Sequence, residues 1–137
     1  MSQNLNPARL LAELQQFTGD SERYRHPLNR HVIYTPGVQY LAEQAGAYWL
    51  IDAIASWIGS HLFNVELAKD PRLQYLHFWY LDVELDKHRA VLTARADEGE
   101  PAFITQKIGF TDFPLEQMIL YAGFDGTNWV IYLPSEH

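Results

Sequence analysis

A long apolar stretch near the middle of the chain, residues 35–62, most constrains what this sequence can fold into. It begins with Thr35 and Pro36, a pair that suits a helix start because the hydroxyl caps free amides and proline fits the first helical position. Between residues 45 and 58 the only polar residues are Asp52 and Ser56. We therefore expect one central buried helix over about residues 36–60, packed against a sheet.

The apolar side of this predicted helix changes phase at Gly46. Val38 and Leu41 lie on one face before it, whereas Leu50 and Ile54 lie on roughly the opposite face after it. Glycine inside a helix costs about 1 kcal/mol relative to alanine, so a reason in bending or packing is expected. Either the helix kinks or breaks at Gly46, or it is covered on both sides. A turn is predicted over residues 64–72.

Beyond residue 72 the hydrophobic period changes from 3.6 to 2, which indicates strands. Odd-numbered residues from 75 to 85 form one apolar face. On the other face Leu76, Phe78 and Tyr80 are apolar as well, so we expect this face to be covered there, by the N-terminal helix or by another subunit. Turn sequences near residues 86–89, 98–101, 111–114 and 125–128 separate four further strands. The prediction is a single α+β domain over residues 1–137, with N-terminal helices packed on an antiparallel meander of about five strands.

Composition and charge exclude several classes of partner. The net charge of −7 argues against non-specific binding to nucleic acid or to an anionic membrane, since both require a cationic surface. The central apolar run is shorter than the about 20 residues of a membrane span and contains Asp52. Because cysteine is absent, disulfides and thiolate metal sites are excluded. The N-terminal residues lack the pattern of a signal peptide, so a cytoplasmic location is expected.

Asp52 is the most unusual residue because it is a carboxylate in an apolar helical run. Burial without a partner would be costly, so we expect it to find donors or to line a cavity. Ser56 lies one turn further on, and His77 is predicted to point inward among aromatic residues. These three residues are the candidates for a small-ligand site between the central helix and the sheet. The histidine spacings match no metal motif, and no metal or cofactor is expected.

The loop over residues 23–31 concentrates positive charge. Arg23, Arg25 and Arg30 lie there beside His26 and His31. The simpler interpretation is a solvated connection. The alternative is an anion-binding loop, since arginine forks suit phosphate and carboxylate, and this leaves a nucleic-acid-facing regulator as a further hypothesis.

Three segments resemble a family of small bacterial proteins with no assigned function, common in cyanobacteria and in plasmid- or phage-rich genomes. They are LAEQAGAYWLIDAIAS (residues 41–56), TDFPL (111–115) and LPSEH (133–137). The resemblance covers most of the chain from about residue 17 onward and implies no activity or catalytic residue. It draws attention to Trp49 and Asp112, as parts of the matching segments, and we add both to the candidate ligand site.

The preferred functional hypothesis is a small non-enzymatic domain that forms a homodimer or binds a protein partner. Its basis is the apolar and aromatic surface of Leu76, Phe78 and Tyr80, which exceeds what one layer of helices covers. The alternative is an enzyme or small-ligand binder centred on Asp52.

Overall fold

The structure, a computed structural model, describes residues 6–18 and 22–137. Within these ranges the chain forms four α-helices and one seven-stranded mixed sheet. The helices are α1 (Pro7–Leu14), α2 (Pro36–Ala45), α3 (Tyr48–Trp57) and α4 (His61–Lys69). The strands are β1 (Tyr24–Arg25), β2 (Val32–Tyr34), β3 (Leu76–Glu84), β4 (Arg89–Arg95), β5 (Ala102–Ile108), β6 (Gln117–Phe124) and β7 (Trp129–Tyr132). The α+β class is as predicted.

The sheet corrects the predicted five-stranded meander. Its strand order is β1-β2-β7-β6-β3-β4-β5, so that β6 pairs with β3 and not with β5, its neighbour in sequence. The pairing of β2 with β7 is parallel, with Ile33 opposite Val130. The five strands expected after residue 72 are present, and two short strands between α1 and α2 extend the sheet. Alternation predicts which face a residue occupies, but it carries no information on which strand lies next to it.

The central helix is divided at Gly46 into α2 and α3. Gly46 has left-handed backbone angles, with φ 61° and ψ 39°. The amide of Ala47 donates to the carbonyl of Ala42 at 2.8 Å, as in the Schellman motif that ends many helices. The break explains the change of phase, because two helices with different axes each present an apolar face to one core.

The fourth helix, α4, occupies much of the segment where the sequence predicted a turn over residues 64–72. Ser60 caps α4, since its hydroxyl oxygen accepts the amide of Phe63 at 3.3 Å. Asp70 ends α4, and its carboxylate accepts the amide of Arg72 at 3.1 Å in a short 3-10 turn, Pro71–Gln74. Phe63 is the buried residue of α4.

The core lies between the helices and one face of the sheet. All four helices contribute buried residues to a single hydrophobic cluster, together with Trp79, Leu81 and Val83 of β3. This confirms the predicted inward face from residue 77 to residue 83, whereas Tyr75 and Leu85, the two ends of the predicted face, lie outside β3 and are exposed. Among the described residues, no helix combines the length and the apolar character needed to cross a membrane.

The opposite face of the sheet is lined by half-buried side chains, and we call it the open face. Cross-strand pairs on it include Phe78 with Tyr121, and Tyr121 with Tyr132. Its residues are Leu76, Phe78 and Tyr80 of β3, Arg95 of β4, Ile119 and Tyr121 of β6, and Val130 and Tyr132 of β7.

The C-terminal segment ties the start of α2 to the end of the sheet. The carboxylate of Glu136 accepts the Thr35 hydroxyl at 2.6 Å, the Leu133 amide at 2.9 Å and the Gly37 amide at 3.3 Å. A Cβ at Gly37 would lie 2.6 Å from Cδ1 of Leu133 and 2.7 Å from Oε1 of Glu136, so a larger residue would have to displace these side chains. The LPSEH segment therefore has a structural role in this fold.

Candidate functional site

Asp52 lies on the exposed stripe of α3 with Tyr48 and Ser56, four residues before and after it. The Asp52 side chain is 64% exposed, so its carboxylate is not buried in the apolar run. Asp52 and Ser56 do line a common cleft of about 770 Å³, between α3 and the loop over residues 26–31. Two of the predicted ligand-site residues, Asp52 and Ser56, therefore lie in the same cleft.

His26, a buried histidine that the sequence did not predict as a site residue, lines the cleft beside Asp52. His26 accepts the amides of Leu28 and Asn29 at Nδ1, at 3.1 and 3.0 Å. The ring proton therefore resides on Nε2, which donates to Oδ1 of Asp52 at 2.8 Å. Because both ring nitrogens have partners, this imidazole is not positioned to accept a proton from a ligand.

Asn29 fixes the same loop to the end of α3. The side-chain amide nitrogen of Asn29 donates to the backbone carbonyls of Ala55 and Ile58, at 2.9 and 3.0 Å. These are among the carbonyls that a helix leaves unpaired at its C-terminus. The Ser56 hydroxyl donates to the carbonyl of Ala53 at 2.6 Å. The polar groups of the cleft thus mainly bind one another, and ligand binding at Asp52 stays a prediction.

His77 lies outside this cleft, in the core beneath α4. It is fully buried among the rings of Phe63, Trp79, Phe103 and Trp129, with centroid distances of 4.9 to 5.7 Å. Burial lowers the pKa of the imidazole to about 3, so the ring is neutral near pH 7. The predicted combination of Asp52, Ser56 and His77 is therefore not assembled.

The remaining candidates are spread over other parts of the surface. Trp49 is half-buried on α3, three residues before Asp52, and Asp112 is exposed in the loop between β5 and β6. The part of the chain that the structure describes contains no group of three or more histidine or acidic side chains able to hold a metal ion.

The three arginines of the 23–31 loop do not converge on one site. Arg23 donates to the carbonyl of Glu22 at 2.7 Å and lines a depression beside Tyr132. Arg25 donates to the carbonyl of Arg30 and to Oδ1 of Asn128. Arg30 lines the Asp52 cleft instead. Anion binding by this loop stays a prediction.

The open face carries a connected row of aromatic rings. Tyr121 is its centre, with edge-to-face contacts to Phe78 at 4.8 Å, to Tyr132 at 5.5 Å and to His137 at 5.3 Å. His137 also stacks on Tyr132 at 5.8 Å. Such contacts fix the orientation of the rings and leave their outer surface accessible to a partner.

One end of this row borders a shallow depression of about 190 Å³. Phe78, Tyr80 and Tyr121 line it together with the carboxylates of Asp97 and Glu98. The guanidinium carbon of Arg95 lies 4.7 Å from the centre of the Tyr80 ring, in a cation–π contact. Partial burial raises the pKa of Tyr80, so its hydroxyl remains protonated near neutral pH. The positive charge of Arg95 and the negative charges of Asp97 and Glu98 thus lie beside the row of aromatic rings.

A family model described as "Family of unknown function (DUF6876)" matches residues 8–137. No curated protein and no solved structure matches the chain.

Proposed function

The chain belongs to the DUF6876 family, whose function is unknown, and from that premise we propose that the protein acts as a homodimer whose two copies pack through their open faces. The observation that carries this proposal is the row of half-exposed rings on β3, β6 and β7, centred on Tyr121. Large apolar patches on the surface of soluble proteins are typical of interaction sites, and aromatic residues are enriched at the centres of interfaces.

The size of the open face suits a two-fold interface. The eight residues of β6 extend about 26 Å, and four neighbouring strands span about 19 Å, which gives a projected area of about 500 Å². The accessible area of a side-chain surface exceeds its projection. A standard interface buries about 800 Å² on each partner, so one open face is of the right order to cover another.

The charges at its border favour a second copy as the occupant. Arg95 lies on one strand of the face, and Asp97 and Glu98 follow it two and three residues later. In a two-fold interface each copy offers both signs to the other, so opposite charges can pair across the axis. The net charge of −7 disfavours a polyanion on the same surface.

Light scattering coupled to size-exclusion chromatography tests the proposal. We expect a mass of twice 15.9 kDa for the full chain at micromolar concentration. Phe78→Glu and Tyr80→Glu place a carboxylate in the row of rings and should each give a monomer, with an unchanged far-ultraviolet circular dichroism spectrum.

Phe110→Glu is the matched control, because Phe110 is 75% exposed and lies in the loop after β5, off the open face. This variant should remain dimeric. A monomeric wild-type protein would overturn the homodimer, and would direct attention to another protein as the occupant. A dimer that survives both Phe78→Glu and Tyr80→Glu would place the interface elsewhere on the molecule.

A further inference from the structure

Two neighbouring side chains in the core have polar atoms without a hydrogen-bond partner. His77 and Trp79 point inward from β3 and are 0% and 1% exposed. Neither ring nitrogen of His77, nor Nε1 of Trp79, is hydrogen-bonded within the protein. Buried polar groups are nearly always paired, and the same chain does pair Trp57, whose Nε1 donates to Gln106 at 2.7 Å. The three unpaired atoms therefore require an explanation.

The surroundings of these atoms have the composition of a ligand pocket. Four aromatic rings enclose the imidazole, and the nearest, Trp129, lies 4.9 Å away. Trp79 and Phe103 lie at 5.6 and 5.7 Å, and Phe63 covers the imidazole at 5.4 Å from the helix side. Small-molecule sites combine apolar, aromatic walls with a few convergent polar groups. His77 offers one donor and one acceptor, and Trp79 offers a second donor.

The element above this cage is the most weakly anchored helix of the fold. Phe63 is the buried residue of α4, whereas α2 buries five residues and α3 buries four. Gly59, with φ 87°, precedes the cap of α4, and Asp70 follows it in an extended conformation. Elements with few buried contacts open locally at a lower free-energy cost than the rest of a domain. Withdrawal of the Phe63 ring would uncover His77.

We propose that α4 is a lid over a site for a small uncharged aromatic molecule that bears a hydroxyl group. The ring of this molecule takes the place of the Phe63 ring. Its hydroxyl donates to the unprotonated nitrogen of His77 and accepts from Nε1 of Trp79. A charged molecule is disfavoured because the cage offers only neutral groups to compensate for its desolvation. The site is independent of the open face and of the proposed dimer.

Phenol and toluene, which differ by one hydroxyl, test the proposal on the full-length protein. Phenol should bind about 10-fold more tightly than toluene, the factor expected when its hydroxyl makes the two buried hydrogen bonds to His77 and Trp79. Long-range proton–nitrogen spectra should show the His77 nitrogens shifting during the phenol titration. Hydrogen exchange of the α4 amides should be faster than that of α3 in the free protein, and phenol should change the exchange of α4 selectively.

Variants distinguish a specific site from non-specific partition into the core. His77→Leu and Trp79→Phe should each reduce the preference for phenol, because each removes one of the two hydrogen bonds, whereas Trp57→Phe, which alters a paired indole, should retain it in full. Phe78→Glu should also retain it, so that failure of the dimer and failure of this site can be separated. The proposal is overturned if wild type binds phenol no better than toluene, or if His77→Leu keeps the preference.

Discussion

At the scale of single residues, the buried imidazole of His77 links the stability of the protein to pH. Burial lowers its pKa from 6.5 to about 3. Below pH 6.5 the unfolded chain takes up a proton that the folded chain does not accept. Above pH 6.5 the titration of this group therefore does not affect the unfolding free energy. As the pH falls from 6.5 towards 3, the unfolding free energy decreases by up to about 1.4 kcal/mol per pH unit.

Denaturant unfolding at several pH values between 7.5 and 5 measures this effect. The variant His77→Leu should flatten the dependence in that window, because it removes the titrating group without adding a charge. The carboxylates with lowered pKa values, Asp70 and Glu84 among them, lose their contributions only below about pH 4.5. His61→Gln, a change at an exposed position, should keep the wild-type slope. An unchanged slope in His77→Leu would contradict the assignment.

The pair of His26 and Asp52 should respond unequally to substitution. Asp52→Asn keeps an oxygen that accepts the proton of Nε2, so the loss of unfolding free energy should stay within about 1 kcal/mol. His26→Ala leaves the amides of Leu28 and Asn29 without their acceptor and opens a void, which should cost about 2–4 kcal/mol. Guanidinium unfolding of both variants measures the difference. A larger loss in Asp52→Asn than in His26→Ala would show that the histidine does not anchor the loop.

The same pair shows how far sequence can predict a site. Asp52 stood out as a polar residue in an apolar run, and it does accept a hydrogen bond and line a cleft. A helix that ran continuously through Gly46 would place Asp52 on the side of Val38 and Leu41, so the sequence does not predict its exposure. With a break at Gly46, Tyr48, Asp52 and Ser56 follow a regular exposed stripe. His26 was missed because its partner is 26 residues away, and no local pattern connects them.

At the scale of secondary-structure elements, the break between α2 and α3 depends on the glycine at its centre. Gly46→Ala forces a side chain into the left-handed region and should reduce the unfolding free energy by about 1–2 kcal/mol. Gly109→Ala is the matched control, because no atom lies within 4 Å of the added Cβ and its φ is not in that region. Its effect should stay within about 0.5 kcal/mol. Equal losses in the two variants would contradict this account of the break.

Elements with strong periodicity were predictable, and those without it were not. The inward face of β3 follows from alternation alone, and the structure buries His77, Trp79, Leu81 and Val83 as predicted. Helix α4 was not expected because it buries little beyond Phe63, and a single anchor does not create a helical period. Its two caps, Ser60 and Asp70, were the available signal. Strand order was not accessible, since pairing partners such as β2 and β7 are about 100 residues apart.

At the scale of the whole molecule, segments distant in sequence close the fold. The parallel pairing of β2 with β7 and the contacts of Glu136 with Thr35 join the C-terminus to the start of α2. This accounts for the LPSEH segment in structural terms. The resemblance to a family of unknown function is confirmed by the match over residues 8–137, whereas the bacterial setting and the cytoplasmic location stay predictions.

If the protein is a homodimer, its thermal midpoint should depend on its concentration. Unfolding of a dimer releases two chains, so dilution favours the unfolded state by mass action. A tenfold dilution changes the free energy by about 1.4 kcal/mol per dimer, or about 0.7 kcal/mol per chain. For 137 residues, an unfolding entropy of about 0.3 kcal/mol/K converts this to a fall of about 2 °C.

Differential scanning fluorimetry or calorimetry at 1, 10 and 100 µM would measure this fall. Phe78→Glu should remove the dependence on concentration, because its folded state is expected to be a single chain. Its midpoint should meet that of wild type at the lowest concentrations, where wild type also dissociates before it unfolds. Phe110→Glu should follow the wild-type dependence, since Phe110 lies off the open face. A wild-type midpoint that is constant over this range would mean that folding requires no partner, and the open face would then have to serve another protein.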